Sequence, residues 1–175
     1  MQATDSSPEL SQLLSLHSPR FITIDGAHGS GKSTLAKTLS QFLNAKLVEA
    51  DKFLRKHQDS YLPSLDYASI RREIDPERLC ILDGVCMREL VATARLAPDI
   101  YVYVKRMARW GWADEDDLVF EGAVEDHLER LKLTAASFFD EGEEPRLGLW
   151  EEVIRYHAVH RPHETCGFVF LRRDA

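Results

Sequence analysis

The sequence predicts an α/β fold in three layers: a five-stranded parallel sheet with helices on both faces. Three observations carry this. Five short runs are β-prone, most of them almost wholly apolar, without the polar alternation of a sheet that faces water on one side. The stretches between them have helix length, and most show apolar residues at helical spacing. The first run leads straight into a glycine-rich loop that opens a helix.

Taken in order, Leu10, Leu13, Leu14 and Leu16 predict a short amphipathic helix or an arm over residues 1–19, ahead of a domain spanning 20–175. Phe21, Ile22 and Ile24 form the first strand. Leu35, Leu39, Phe42 and Leu43 predict a helix from Gly31 to Leu43. Lys46 to Ala50 is a second short strand that ends at Asp51. From Lys52 to Leu65 the pattern is irregular, broken by Pro63, and Asp66 suits the cap of a short helix that runs to Ile74. Leu79 to Leu82 is the third strand and closes on Asp83-Gly84. Val85, Leu90, Val91 and Ala94 predict a helix up to Ala97, which Pro98 ends. Ile100 to Val104 is the fourth strand. A helix from near Glu121 carries Val124, Leu128, Leu131, Ala135 and Phe138, and Glu141 to Pro145 form an acidic turn. Trp150, Val153, Ile154 and His157 mark the last helix, and Phe168 to Leu171 the fifth strand. Right-handed crossovers put the loops after these strands on one edge of the sheet, where ligands of open parallel sheets bind.

The loop after the first strand is Gly26-Ala27-His28-Gly29-Ser30-Gly31-Lys32-Ser33, followed by Thr34. It matches the phosphate-cradling pattern G-x-x-x-x-G-K-[ST] without a break. Glycines allow the backbone to curl so that successive N–H groups face an anion. Lys32 would reach the β- and γ-phosphates, Ser33 would join a magnesium ion, and the helix would present its positive end to the same phosphates. ATP and Mg2+ are therefore the expected cofactors. His28 occupies a variable position, where backbone geometry does the binding. A chance match in a chain this short is roughly a one-in-a-hundred event.

Two aspartates directly follow buried strands. Asp83, behind an apolar run, has the Walker B pattern and suits the metal; Asp51 suits orientation of an acceptor hydroxyl. An aspartate at a strand end also caps turns, and that bland reading stands beside the functional one. Arg106 and Arg109 precede the acidic run Asp114 to Asp117 and are candidates for transition-state charge in a lid; solvated surface arginines are the alternative. Trp110 and Trp112 read more readily as packing residues than as stacking platforms. His157, His160 and His163 lack an evident fourth ligand and are interrupted by Pro162, which argues against zinc.

Together the loop and Glu49-Ala50-Asp51-Lys52-Phe53 resemble the uridine kinase and phosphoribulokinase group of P-loop kinases. The resemblance implies a P-loop NTPase sandwich and an aspartate, here Asp51, that helps activate the acceptor hydroxyl. Leu65-Asp66-Tyr67 is faintly similar to that group's acceptor-binding stretch. Leu82-Asp83-Gly84-Val85 is similar to its glutamate-glycine strand end, with Asp for Glu, and Arg155-Tyr156-His157 with Arg161-Pro162-His163-Glu164 to its approach to the last strand. Two departures stand out: the lid region has few arginines, and Cys166-Gly167 replaces an Ala-Asp pair. The implied activity is ATP-dependent phosphorylation of a small hydroxylated metabolite, with uridine or cytidine among the acceptors. Sugar-nucleotide and vitamin-precursor kinases and a non-catalytic nucleotide sensor remain alternatives. The only asparagine, Asn44, leaves no N-K-x-D guanine signature.

Bulk properties narrow the partners. A net charge of −7 over 175 residues argues against nucleic acid. No apolar run approaches membrane-spanning length, and the N-terminus, which carries Asp5 and Glu9, lacks an apolar core of signal-peptide length, so no secretory segment is expected. Cys80, Cys86 and Cys166 show no C-x-x-C spacing, so a reduced, cytoplasmic protein is expected, and a homo-oligomer is compatible with this composition.

Overall fold

The computed structural model describes residues 1–55, 60–135 and 147–173. In chain order the elements are β1 (Gln2–Thr4), α1 (Ser7–Ser15), β2 (Phe21–Gly26), α2 (Lys32–Phe42), β3 (Lys46–Glu49), α3 (Tyr67–Glu73), β4 (Cys80–Asp83) and α4 (Met87–Thr93). They continue with β5 (Ile100–Ala108), β6 (Gly111–Trp112), α5 (Glu115–Leu118), α6 (Val124–Ala135), α7 (Leu149–His160), α8 (Pro162–Thr165) and β7 (Phe168–Arg173). Single 3-10 turns cover Ala50–Phe53 and Leu62–Ser64.

The sheet order is β1-β7-β5-β2-β4-β3, with β6 paired to β5. Among the described residues of this sheet every strand pairing is parallel except the β5–β6 hairpin. β2 lies in the middle: the chain leaves it for β3 and β4 on one side, then crosses to β5 and β7 on the other. The loop after β2 thus sits at the topological switch point, where a crevice opens at the carboxyl ends of the strands.

Side-chain alternation divides the core. Ile22, Ile24, Ile81, Val102 and Val104 face α1 and α2, where Leu10, Leu14, Leu35 and Leu39 are buried. Their strand neighbours Phe21, Cys80, Leu82 and Tyr103 face the opposite layer, with Leu90, Ile154 and Tyr156. Both faces are covered, so the strands read as apolar runs.

Among the described residues the sheet has seven strands, where the sequence predicts five. Gln2–Thr4 carries no apolar run; it is a strand because its backbone pairs with β7, Gln2 opposite Phe168 and Thr4 opposite Phe170. Behind it, Ser6 caps α1 by accepting from the Glu9 amide at 3.3 Å, and α1 packs on α2. The other addition, β6, is two residues that fold back on an extended β5. β5 runs four residues beyond Val104 because β7 pairs with it through Met107, so polar Lys105 and Arg106 lie in a strand.

Boundary differences have local causes. α4 stops at Thr93, short of Ala97, because Arg95 adopts φ 54°. That left-handed conformation costs a non-glycine residue about 1–2 kcal/mol. α6 begins at Val124, and Phe138 and the acidic turn Glu141 to Pro145 lie outside the described residues. Among the described residues no helix is long and apolar enough to cross a membrane.

Candidate active site

The loop from Gly26 to Ser33 leaves the end of β2 and turns into α2. Gly26 is required by close approach, since a Cβ there would meet the Val104 carbonyl oxygen at 2.9 Å. Gly31 caps α2 at φ 91°, a conformation that favours glycine. Ala27 and Ser30 are buried, whereas His28, Gly29 and Thr34 are exposed. Lys32 is only 8% exposed and folds back, its Nζ donating to the Ala27 carbonyl at 3.2 Å. Burial lowers the Lys32 pKa, while the charges of Asp25, Asp51 and Asp83 act against that shift.

Asp83 ends β4 beside β2, in register with Ile24. Ser33 Oγ donates to Asp83 Oδ2 at 2.7 Å. Its second oxygen, Oδ1, is buried without a partner. Burial raises the Asp83 pKa against the opposing effects of the Ser33 hydrogen bond and the Lys32 charge. A hydroxyl beside a carboxylate with a spare buried oxygen is an all-oxygen donor set, the kind that suits magnesium. These two side chains fit the ion.

Asp51 lies in the 3-10 turn after β3 and is exposed. With His28, Gly29, Gly31, Lys32, Ser33 and Thr34 it lines a cavity of about 240 Å³. Tyr61 donates from its hydroxyl to Asp51 Oδ1 at 2.7 Å. Tyr61 is itself anchored: its backbone N–H and that of Leu62 donate to the two carboxylate oxygens of Glu152 at 2.7 and 3.1 Å. Helix α7 thereby holds the segment that holds Asp51.

Arg106 and Arg109 are separated by the structure. Arg106, in β5, donates from Nη2 to Asp114 Oδ1 at 2.6 Å. Asp114 is 4% exposed, so the acidic run is not wholly solvated. Both side chains border a cavity of about 460 Å³ with His28, Asp117 and Trp150, next to the phosphate loop. Arg109 lies in the exposed β5–β6 turn, and among the described residues it has no hydrogen-bond or ion-pair partner. In that turn Trp110 is 85% exposed, whereas Trp112 is buried beneath Lys105, whose Nζ lies 4.2 Å from the ring centroid.

Several site residues escape sequence reasoning. Asp25 precedes Gly26, is 4% exposed, and accepts from the Gly26 amide at 2.8 Å and from the Tyr156 hydroxyl on α7. Burial pushes its pKa up to about 6, although the Tyr156 hydrogen bond and the Lys32 charge pull it down. A charged residue inside an apolar run was the available signal. Arg172, from β7, donates to the Gly29 carbonyl at 3.0 Å and lies against Gly31. Tyr61 and Glu152 left no motif.

The three histidines serve α7 and its surroundings. His157 is bonded to Tyr103 Oη and the Val153 carbonyl, each at 2.7 Å, and burial lowers its pKa to about 4. His160 lies 3.1 Å from Glu89, and His163 stacks on His157. Among the described residues no His, Cys, Asp and Glu group is arranged to hold a metal on its own.

No protein-family model and no curated protein sequence matches the chain. Solved structures do. A possible uridine kinase from Bacillus stearothermophilus is similar at TM-score 0.53 and 13% identity, over 94% of this chain and 96% of that one. A sugar kinase from Janibacter aligns at TM-score 0.47 and 15% identity, covering 88% and 84%. A shikimate kinase from Acinetobacter baumannii in complex with shikimate aligns at 0.45 and 14%, covering 94% and 89%. Only the first is a substantial likeness, and at that identity it is one of fold: the chain has the fold of the P-loop kinases.

Proposed function

We propose that the protein is an ATP-dependent phosphotransferase that moves the γ-phosphoryl group to a hydroxyl of a small metabolite, with a nucleoside such as uridine or cytidine as the acceptor. The observation that carries the reading is the meeting of the phosphate loop, the Ser33–Asp83 pair and Asp51 around one opening at the carboxyl edge of the sheet. The segment around Asp51, which resembles that of uridine kinases, supports the nucleoside, and the fold likeness to a possible uridine kinase agrees with it.

In this reading the loop amides and Lys32 bind the triphosphate, in the cradle that Gly26 and Gly31 permit. Ser33 and Asp83 hold magnesium, which when bound neutralises charge on the β- and γ-phosphates. Asp51 accepts the proton of the acceptor hydroxyl as its oxygen bonds to the γ-phosphorus and the bond to the β-phosphate oxygen breaks, leaving ADP. Arg106 and Arg109 offer positive charge to the phosphoryl group in transfer. Tyr61 holds Asp51 in orientation. Near-total burial of Lys32 keeps its charge out of bulk water, where it acts more strongly on a phosphate.

The test uses purified protein with magnesium-ATP and a panel of nucleosides, sugars and vitamin precursors. One acceptor class should be phosphorylated, and Asp51→Asn should slow transfer by about a hundred- to ten-thousandfold while nucleotide affinity changes little. Tight ATP binding with no acceptor turned over would instead make the chain a nucleotide sensor. Transfer by Asp51→Asn within a few-fold of the parent would remove Asp51 from the mechanism.

A further inference from the structure

A groove of about 510 Å³ between α3 and α4 has a charge opposite to that of the chain as a whole. Arg71, Arg72 and Arg95 line it, with Tyr67 and Thr93 adding a ring and a hydroxyl, and among the described residues no acidic one lines it. Arg72 donates to Ser69 Oγ at 2.7 Å. Among the described residues, the side chains of Arg71 and Arg95 make no hydrogen bond or ion pair.

Two of these arginines have an ordinary explanation. Arg71 and Arg72 are in the last turn of α3, where positive charge complements the helix dipole. Arg95 does not. It occupies the left-handed position just past α4, with its amide on the Ala92 carbonyl at 3.1 Å and the Leu96 amide on the Val91 carbonyl at 2.8 Å. That closing motif usually carries glycine. Here a strained arginine stands in its place and borders the groove that the two α3 arginines border.

We propose that this groove is a binding site for the phosphoryl groups of a small phosphorylated metabolite, separate from the phosphate loop. Guanidinium groups match phosphate oxygens in paired hydrogen bonds, and the cavity has the size of small-ligand sites. In a chain of net charge −7, a local concentration of three positive charges favours a compact multivalent anion. The groove shares no residue with the cavity at the phosphate loop, so the proposal stands whether or not the chain transfers phosphate.

Inorganic pyrophosphate is a suitable probe, titrated calorimetrically into the parent and into Arg95→Gly, Arg71→Gln and Lys32→Ala variants. The parent should bind two equivalents. Arg95→Gly and Arg71→Gln should each weaken one of them roughly tenfold, the scale of one charge-assisted hydrogen bond, and leave the other. Lys32→Ala should weaken only that other one. Arg95→Gly relieves the left-handed strain, so it should melt no lower than the parent, which separates lost binding from lost folding. Arg71→Gln, on the exposed face of α3, is an independent arm. Unchanged pyrophosphate binding in both arginine variants would overturn the proposal. So would a single site sensitive only to Lys32, or equal displacement by sulfate at matched ionic strength.

Discussion

The Tyr61 hydroxyl donates to Asp51 Oδ1 at 2.7 Å, and the Tyr61 backbone hangs from Glu152 on α7. A carboxylate on an exposed 3-10 turn is thereby tied to a core helix through two hydrogen-bonding steps. Tyr61→Phe removes the tie and keeps the ring. Phosphoryl transfer should fall roughly tenfold, about the 1.5–3 kcal/mol of a hydrogen bond to a charged group discounted for exposure, with ATP affinity unchanged. Steady-state kinetics with nucleotide titration checks this; an unchanged rate makes the contact purely structural.

Ser33 and Asp83 supply the second prediction. Asp83→Asn preserves shape and removes the negative charge beside Ser33. The magnesium concentration needed for half-maximal ATP binding should rise at least tenfold, while binding of nucleotide without metal changes little. Equal weakening with and without magnesium would assign Asp83 to the loop's shape rather than to the ion.

Arg106 and Arg109 should differ. Arg106 is held by buried Asp114 beside the phosphate loop, whereas Arg109 stands in an exposed turn. Arg106→Ala should lower kcat more than it weakens ATP binding, and Arg109→Ala should have the smaller effect. Single-turnover rates on the two variants decide it, and equal losses would point to one mobile unit carrying both.

Asp25 makes stability depend on pH in a direction opposite to the usual carboxylate. Its folded pKa of about 6 lies above the ordinary 3.8, so between those values the native state binds a proton that the unfolded chain has released. Stability from this group is therefore present below about pH 4 and lost as pH rises through 6. At 1.36 kcal/mol per pH unit the loss is about 3 kcal/mol. His157, held near 4, acts in the opposite sense over an overlapping range, so the comparison must be with Asp25→Asn. The unfolding free energy of that variant, relative to the parent, should rise in its favour from pH 4 to pH 7. A difference independent of pH would show that Asp25 does not titrate there.

Much of the architecture was legible because its signals are local. Four of the five predicted strands announce themselves as apolar runs, and the phosphate loop as eight contiguous residues whose backbone does the binding, so neither depends on a distant partner. The placement of Asp51 and Asp83 on one edge followed from the handedness of parallel crossovers, a rule of chain geometry. The remainder depends on contacts between segments far apart in sequence. Gln2–Thr4 is a strand only because β7 offers it an edge, and Gly111–Trp112 only because β5 is extended beyond its apolar part. Asp25 and Tyr156 lie 131 residues apart, and Tyr61 and Glu152 lie 91 apart; no periodicity records either pair. Asp114 reads as one more solvated acid in a run of four, yet the β5–β6 hairpin buries it against Arg106. Local pattern and backbone chemistry thus determined the layers and the loop. Which polar side chains are taken out of water, and what meets them there, was decided by tertiary packing, because burial is a property of the whole chain rather than of any stretch of it.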